Sequence, residues 1–394
     1  MGLGYIGLPT AALIASRGIH VQGIDVNQSV VDTINSGKIH IVEPALDGLV
    51  KHVVEKGLLK ANITPNNADV FLIAVPTPFK GDHEPDLKYV ESATRMIIPK
   101  LKEGNLFILE STSPVGSTDK MAKIIFEERP ELKGKINIAY CPERVLPGNV
   151  IYELEHNDRV IGGLDEQSTI EAQNFYRHFV KGELHATNAK TAEMCKLVEN
   201  SSRDVSIAFA NELSMICDKA EINVWELIHL ANKHPRVNIL QPGTGVGGHC
   251  IAVDPWFIVS EFKKEAVIIR NAREINNYKT EWVIEKIRST ALQFELNNSR
   301  KPTLALMGLA FKPNIDDLRE SPALLVADTL LGDGKFDLLL VEPNLAESNK
   351  YDLNDYESLN EKADIIAYLV AHKQFKGFKT KLIELDFCGV KREK

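Results

Sequence analysis

The sequence predicts an α/β chain in three parts, with strand–helix alternation near each end and a helical stretch between. Three observations predict it. The chain opens MGLGYIG, which spaces Gly2, Gly4 and Gly7 as Gly-x-Gly-x-x-Gly, and Asp25 follows 21 residues after Gly4. Strand-length apolar runs alternate with helical stretches up to about residue 165 and again from Lys301. Between them, long patterns of helical period dominate. Strand alternating with helix means a parallel, doubly wound sheet.

Each element follows in order. LPTAALIASRG reads as a helix of about three turns ending near Gly18, and HVQGIDV as a strand with Asp25 near its end. Further strands are DVFLIAV (Asp69–Val75), NLFILES (Asn105–Ser111), INIAYC (Ile136–Cys141) and RVIGG (Arg159–Gly163). From about Glu166 the pattern turns helical: TAEMCKLVENSSRDVSIAFANE, SMICDKAEINVWELIHLANKH and AVIIRNAREINNYKTEWVIEKIRSTALQFEL. The last is a very long helix with apolar residues at Val267, Ile268, Ile275, Trp282, Ile284 and Ile287. A helix of that length connects domains or lines an oligomer interface, the plain alternative being a buried core helix. From Lys301, TLALMG, FDLLLVE, DIIAYLV and KLIEL are strands, with SPALLVADTLL a helix among them.

Composition narrows the function. A chain of 394 residues implies two or three domains, and 44% hydrophobic residues fill ordinary cores. The net charge is −8 and no basic tract occurs, so neither nucleic acid nor a membrane surface is an expected partner. No apolar run approaches the ~20 residues of a membrane span, and none opens the chain as a leader. Five cysteines, odd in number and without paired spacing, imply a reduced, cytoplasmic protein. His249 and Cys250 are adjacent but no second pair stands at ligand spacing, so no metal is expected.

The glycines point to a dinucleotide. A Cβ there would block the tight turn and the approach of a pyrophosphate, which would sit on backbone N–H groups at a helix N-terminus. Asp25 at the end of the next strand is placed for a ribose 2′-hydroxyl, and Val26 and Asn27 offer no cation to a 2′-phosphate, which favours NAD over NADP. The loops VPTP (Val75–Pro78) and ESTSPVGS (Glu110–Ser117) follow strand ends, where Thr77 and Thr112 offer hydroxyls; taken alone, each is more often ordinary turn chemistry.

Chemistry gathers in the middle. Lys196, Asn200 and Arg203 fall at i, i+4 and i+7 of one helix, sharing a face that is either functional or a solvated surface. QPGTGVGGHCIAVDPW brings Gly243, Gly245, Gly247 and Gly248 directly into Cys250, a nucleophile if its thiolate is stabilised, with Asp254 close behind. GLAFKPNIDDLRESPA places Lys312 and Arg319 after a strand end, CPERVLPG holds Glu143 and Arg144 in a like position, and HPRVN supplies His234 and Arg236. These are the local cations that a phosphorylated substrate needs from an acidic protein.

Together these segments resemble the UDP-sugar 6-dehydrogenases of the UDP-glucose dehydrogenase family. The motifs run in order over nearly the whole chain: GLGYIGLP, VPTP, STSPVGS, CPERVLPG, the Lys196/Asn200 helix, GVGGHC and GLAFKPNIDDLRESP. The resemblance implies two Rossmann-like doubly wound parallel sheets joined by a helical, dimerising centre with a long connecting helix. The expected parts are an NAD-binding domain at 1–165, a central domain at 166–299 and a UDP-sugar-binding domain at 300–394. It implies oxidation of a C6 alcohol to a carboxylate with two NAD+, in the making of cell-surface polysaccharide precursors, by a homodimer or higher homo-oligomer. Cys250 is then the nucleophile, Lys196 the general acid/base, Asn200 a holder of the oxyanion, and Asp254 and Glu143 assist water and protons. Tyr5, Ile6, Asp25, Thr77, Thr112 and Arg319 match the NAD site together with Gly2, Gly4 and Gly7. Arg144, Val145, Lys196, Asn200, Arg203, His234, Arg236, Gly247, Phe311 and Lys312 match the substrate site. UDP-glucose enzymes carry Pro-Lys-Asp after the cysteine; here Ala252 and Val253 replace the first two, and GGHCIAVDPWFI and HPRVNILQPG are similar to the branch acting on UDP-N-acetyl-D-mannosamine. The rival readings are another UDP-sugar, a catalytically silent nucleotide-binding oligomer, and a two-electron hydroxyacid dehydrogenase, which has no use for Cys250. The family's terminal Asp-x-Lys-Gly is altered, with Cys388 at the lysine and Lys391 no evident replacement.

Only Met1 precedes the glycines, where a central strand belongs. The expectation is that several N-terminal residues are missing, or that another segment fills the slot, with weak NAD affinity and low stability if the strand is truly absent.

Overall fold

A computed structural model describes residues 1–391 apart from 82, 146, 147, 249, 346 and 349. The chain divides into two compact units, Met1–Glu199 and Asn200–Lys394.

The first unit opens with α1 (Gly7–Ser16), β1 (Val21–Ile24), α2 (Gln28–Asn35), α3 (Leu46–Glu55), β2 (Leu59–Asn62) and β3 (Val70–Ile73). A small hairpin, β4 (Phe79–Lys80) and β5 (Glu84–Pro85), leads to α4 (Lys88–Ile97), β6 (Leu106–Leu109), α5 (Ser117–Glu128) and β7 (Asn137–Tyr140). Then come α6 (Val150–His156), β8 (Arg159–Gly163), α7 (Glu166–Tyr176) and β9 (Leu184–Asn188). β1 and β2 form one parallel pair, and β3-β6-β7-β8-β9 form a second sheet, parallel except where β8 runs against β7. Met1 and Gly2 span the seam between the two sheets. The Met1 nitrogen donates to Leu72 O at 2.8 Å, Ala74 N donates to Met1 O at 2.9 Å, and Gly2 N donates to Ile24 O at 2.7 Å. The last residue of β1 and the end of β3 thus find backbone partners there. α1 is buried from Gly7 to Ala15 because it is apolar all round, with Leu8, Ala11 and Ala12 packing in one cluster with α2 and α3, and Leu13 and Ile14 in another.

Helix and strand still alternate after Glu166, because β9 joins the first sheet. Its LHATN is mostly exposed and carries no apolar alternation, so the pattern that marks a strand is absent there.

α8 (Ala189–Lys219) is one helix of 31 residues that ends the first unit and begins the second. α9 (Val224–Ala231), α10 (Asp254–Glu261) and α11 (Val267–Asn298) follow. A left-handed Glu221, φ 56°, separates α8 from α9, so SMICDKAEINVWELIHLANKH is two helices. The long α11 is there, at 32 residues, but Ile268 at its start is 70% exposed. Its buried stripe is half polar: Arg273 pairs with Asp204 at 2.6 Å, Asn276 accepts from Asn211 at 2.9 Å, and Lys279 donates to Ser214 at 2.7 Å. An apolar count cannot see that half of a buried face. Last come β10 (Thr303–Met307), α12 (Pro322–Asp333), β11 (Asp337–Val341), α13 (Leu359–Lys362), β12 (Ile365–Tyr368) and β13 (Ile383–Asp386), with a wholly parallel sheet in the order β11-β10-β12-β13. Val283, Ile284 and Ile287 of α11 pack with Leu304, Leu306, Val326 and Leu330 in its core.

Candidate active site

The first unit builds a nucleotide-sized turn from its three glycines. Gly2 has φ 84°, and a Cβ on it would lie 2.6 Å from Ala74 O. A Cβ on Gly7 would lie 1.8 Å from Gly2 O, so helix and turn touch only because neither carries a side chain. Gly4 differs: nothing of the described chain comes within 4 Å of its Cβ position, which leaves room for a ligand at the helix start. α1 has no side-chain cap and no acid in its first turn, so its positive end is left to favour an anion there. Asp25 Oδ2 accepts from Leu3 N at 3.0 Å and Oδ1 from Asn27 N at 3.0 Å. The half-buried carboxylate is aimed by backbone and keeps lone pairs for a ribose hydroxyl. These features suit NAD. Thr77 and Thr112 come together as well, the Thr77 hydroxyl donating to Thr112 O at 2.7 Å.

Glu143 stands at the end of β7, buried, with Oε2 accepting from Arg159 Nη1 at 2.9 Å and Oε1 from Arg144 N at 2.6 Å. Arg159 is 1% exposed and lies 3.9 Å from Glu110, which accepts from the Tyr176 hydroxyl at 2.8 Å. Burial pushes the Glu110 carboxyl up to about 7, against the pull of Arg159. Cys141 beside them is raised by burial to about 12, an inert thiol. The Arg144 guanidinium pairs with Glu199 through two nitrogens, at 3.1 and 2.8 Å, and Val145 packs against an apolar cluster of the unit. Lys196 is half-buried on α8; among the described residues no carboxylate pairs with it.

In the second unit the Asn200 amide donates to Asp254 Oδ2 at 2.5 Å, and Asp254 is 3% exposed at the start of α10. Asp254 N and Val253 N both donate to Cys250 O, at 2.8 and 3.1 Å, so the turn carrying the cysteine is tied to the acid. Cys250 itself is exposed. His249 lies outside the described residues. A Cβ on Gly247 would meet Glu320 O at 2.3 Å and the Phe311 Cβ at 3.0 Å, so the glycine loop lies directly on the Phe311 loop. Asn211 accepts from Gly243 N at 2.9 Å, and the Thr244 hydroxyl donates to Leu369 O at 2.7 Å, anchoring the rest of that loop. Arg203, His234, Arg236 and Lys312 are exposed, and Arg236 N donates to the His234 ring at 3.3 Å. The Arg319 guanidinium is paired with Asp317 at 2.6 Å.

Beyond β10 the chain repeats the first turn with different fittings. Gly308, φ 94°, donates to Val341 O at 2.8 Å, and Glu342 Oε2 accepts from Leu309 N at 2.7 Å and Ala310 N at 3.0 Å. In the tail, Asp386 accepts from the amides of Cys388, Gly389, Val390 and Lys391, while the Lys391 ammonium is held by Phe378 O and Glu384. Four features were not visible in the sequence: Glu110, Arg159 with Tyr176, Glu342, and Glu193, which accepts from the N–H groups of Gly116 and Thr118 at the start of α5. Each pairs across long sequence separations, and only the acid after a strand end offered a signal.

Among described residues no helix is long and apolar enough to cross a membrane. A relative from Escherichia coli K12, the UDP-N-acetyl-D-mannosamine dehydrogenase, is 56% identical over 392 residues, covering 95% of this chain and 93% of the relative. The NDP-N-acetyl-D-galactosaminuronic acid dehydrogenase of Ralstonia nicotianae is 52% identical, covering 96% and 92%. A solved UDP-D-ManNAc dehydrogenase from Pyrococcus horikoshii superposes with a TM-score of 0.87 at 38% identity, covering 100% of this chain and 95% of that one. The NAD binding, central and UDP binding domains of one family match residues 1–180, 190–278 and 305–387 in turn, and this chain belongs to the UDP-glucose/GDP-mannose dehydrogenase family.

Proposed function

We propose that this chain oxidises the C6 alcohol of UDP-N-acetyl-D-mannosamine to the carboxylate in two NAD-dependent steps. The observation that carries the reading is the exposed Cys250, whose turn is tied to a buried Asp254 that Asn200 holds. NAD+ supplies the hydride acceptor at both oxidations. Lys196 takes the hydroxyl proton in the first and steadies the alkoxide, with Asn200 donating to it. The Cys250 thiolate then adds to the aldehyde carbon. The thiohemiacetal so formed has the oxyanion a bare aldehyde lacks, so a second hydride can leave and a thioester remains. Water, assisted by Asp254 and Glu143, releases the carboxylate and restores the thiol.

Gly2, Gly4, Tyr5, Ile6, Gly7, Asp25, Thr77, Thr112 and Arg319 are assigned to NAD. Arg144, Val145, Arg203, His234, Arg236, Gly247, Phe311 and Lys312 are assigned to the UDP-sugar, beside Lys196 and Asn200. We assign the NAD-binding part to 1–165, a dimerising centre to 166–299 and the UDP-sugar part to 300–394. Exposed Phe209, Ile216 and Leu230 in the central helices, with Ile222 in the link between α8 and α9, support a homodimer. Its place is the cytoplasm, supported by five cysteines that form no disulfide among the described residues, and its product feeds surface polysaccharide synthesis.

The test is NADH formed per UDP-sugar consumed, on a panel of UDP-N-acetylmannosamine, UDP-glucose and an N-acetylgalactosamine nucleotide. The expected result is a ratio near two with the first substrate only, by the stoichiometry of two hydride transfers. Cys250→Ala should abolish turnover and keep nucleotide binding. Turnover that survives in Cys250→Ala, or a ratio near one, would sink the mechanism.

A further inference from the structure

Behind the Phe311 loop lies a fully buried imidazole that the mechanism does not use. His372 is 0% exposed, and both its ring nitrogens are engaged. Nδ1 faces two N–H donors, the Asn314 backbone amide at 2.9 Å and the Asn344 side-chain amide at 2.8 Å. Two donors on one nitrogen require a lone pair there, so the proton sits on Nε2 and points at Glu342 Oε2, 3.0 Å away. The same carboxylate oxygen receives Leu309 N and Ala310 N. One neutral ring therefore ties together both ends of the segment from Leu309 to Asn314. Asn314 sits at φ 63°, and its side chain accepts from Lys373 N at 2.8 Å, so the far end of the segment is held in a conformation that rarely arises unaided.

We propose that His372 is the positioning residue for nucleotide recognition in the second unit: by accepting from Asn314 it holds the far end of the segment that presents Phe311 and Lys312, whose near end Glu342 anchors through Leu309 and Ala310. The proposal rests on the assignment of those two residues to the UDP-sugar. It also separates the two arms of the ring. An asparagine at 372 keeps an acceptor near the place of Nδ1 and loses the donor; a glutamine keeps a donor near the place of Nε2 and loses the acceptor.

The experiment is calorimetric titration of the full chain and its H372N and H372Q variants with UDP, together with KM for the UDP-sugar and for NAD. The expected result is UDP affinity within about threefold of the parent in H372N. H372Q should weaken UDP by about tenfold, raise KM for the UDP-sugar likewise, and leave KM for NAD and kcat unchanged, as loss of one positioning hydrogen bond predicts. H372Q binding UDP as the parent does, or H372N being the weaker of the two, overturns the proposal. A parent chain that fails to bind UDP overturns the nucleotide assignment itself. Independently of any variant's folding, histidine ¹⁵N shifts of the parent should show His372 protonated at Nε2 alone; a proton on Nδ1 overturns the clamp.

Discussion

The glycine turns of the two α/β units have the same backbone plan and opposite uses. In each, a glycine of positive φ follows the first residues of the turn, Gly2 at 84° and Gly308 at 94°, and donates to the last residue of a neighbouring strand, Ile24 or Val341. In each, an acid just past that strand, Asp25 or Glu342, accepts the amide of the residue after the glycine, Leu3 or Leu309. There the likeness stops. Asp25 is half-buried and keeps lone pairs outward, whereas Glu342 is 3% exposed and its oxygens are taken by His372, Asn344 and the turn itself. α1 starts at Gly7 without a side-chain cap, whereas α12 starts at Pro322 with Ser321 accepting from Leu324 N. One turn offers its backbone and its acid to a ligand. The other satisfies both internally and presents side chains from a longer loop instead.

The largest expected effect tests the glycines. Gly7→Ala forces a Cβ to 1.8 Å from Gly2 O, and should destabilise the first unit by more than ~3 kcal/mol and abolish NAD binding. Gly4→Ala meets nothing within 4 Å, so thermal unfolding should move by no more than ~0.5 kcal/mol while NAD affinity falls about tenfold. Equal destabilisation by the two would break the distinction between packing glycine and ligand glycine.

The acids come next. Glu342→Ala strands buried donors on Leu309, Ala310 and His372, and should cost about 3 kcal/mol in denaturant unfolding. Asp25→Ala should cost much less and act mainly on NAD affinity. The two acids also differ in acid sensitivity. Burial would raise the Glu342 carboxyl, but hydrogen bonds from His372 and the Leu309 and Ala310 amides outweigh it and hold the pKa at about 2, against 4.5 ordinarily. A depressed folded pKa gives stability that is fully present above the unfolded value and lost as pH falls from about 4.5 through about 2. Acid unfolding should therefore be shallower in Glu342→Gln than in the parent; identical pH profiles would refute the anchoring role. The smallest effect is in the caps. Asn27→Ala removes the α2 cap at about 1 kcal/mol. Ser321→Ala should exceed it, because that hydroxyl also donates to Leu309 O at 2.6 Å in a buried place.

The readable parts of the molecule were those in which neighbours in sequence are neighbours in space. The glycine turn and Asp25 are set by one turn and one helix length, and the Cys250 loop carries its glycines contiguously. The central strands β6 and β12 were legible because both faces are buried and they read as apolar runs, whereas the mostly exposed β9 was not. What stayed hidden joins distant residues. Tyr176 reaches Glu110 and Glu193 reaches Gly116, and neither pair has a local pattern. The second turn escaped the glycine spacing because its helix begins 14 residues after Gly308, at Pro322. α11 hid its polar stripe for a related reason: its partners on α8 lie some sixty to seventy residues earlier.

The seam between the two sheets of the first unit has a consequence for how that unit breathes. Among the described residues β1 and β2 share no ladder with β3, and Met1 and Gly2 carry backbone bonds to both. A two-stranded ribbon so attached opens at lower free energy than the five-stranded sheet beside it. Amide hydrogens of Val21–Ile24 should therefore exchange with solvent sooner than those of Leu106–Leu109. A dinucleotide that touches Asp25 on one side of the seam and Thr77 on the other would act as a staple, and NAD should slow exchange in the ribbon far more than in the sheet.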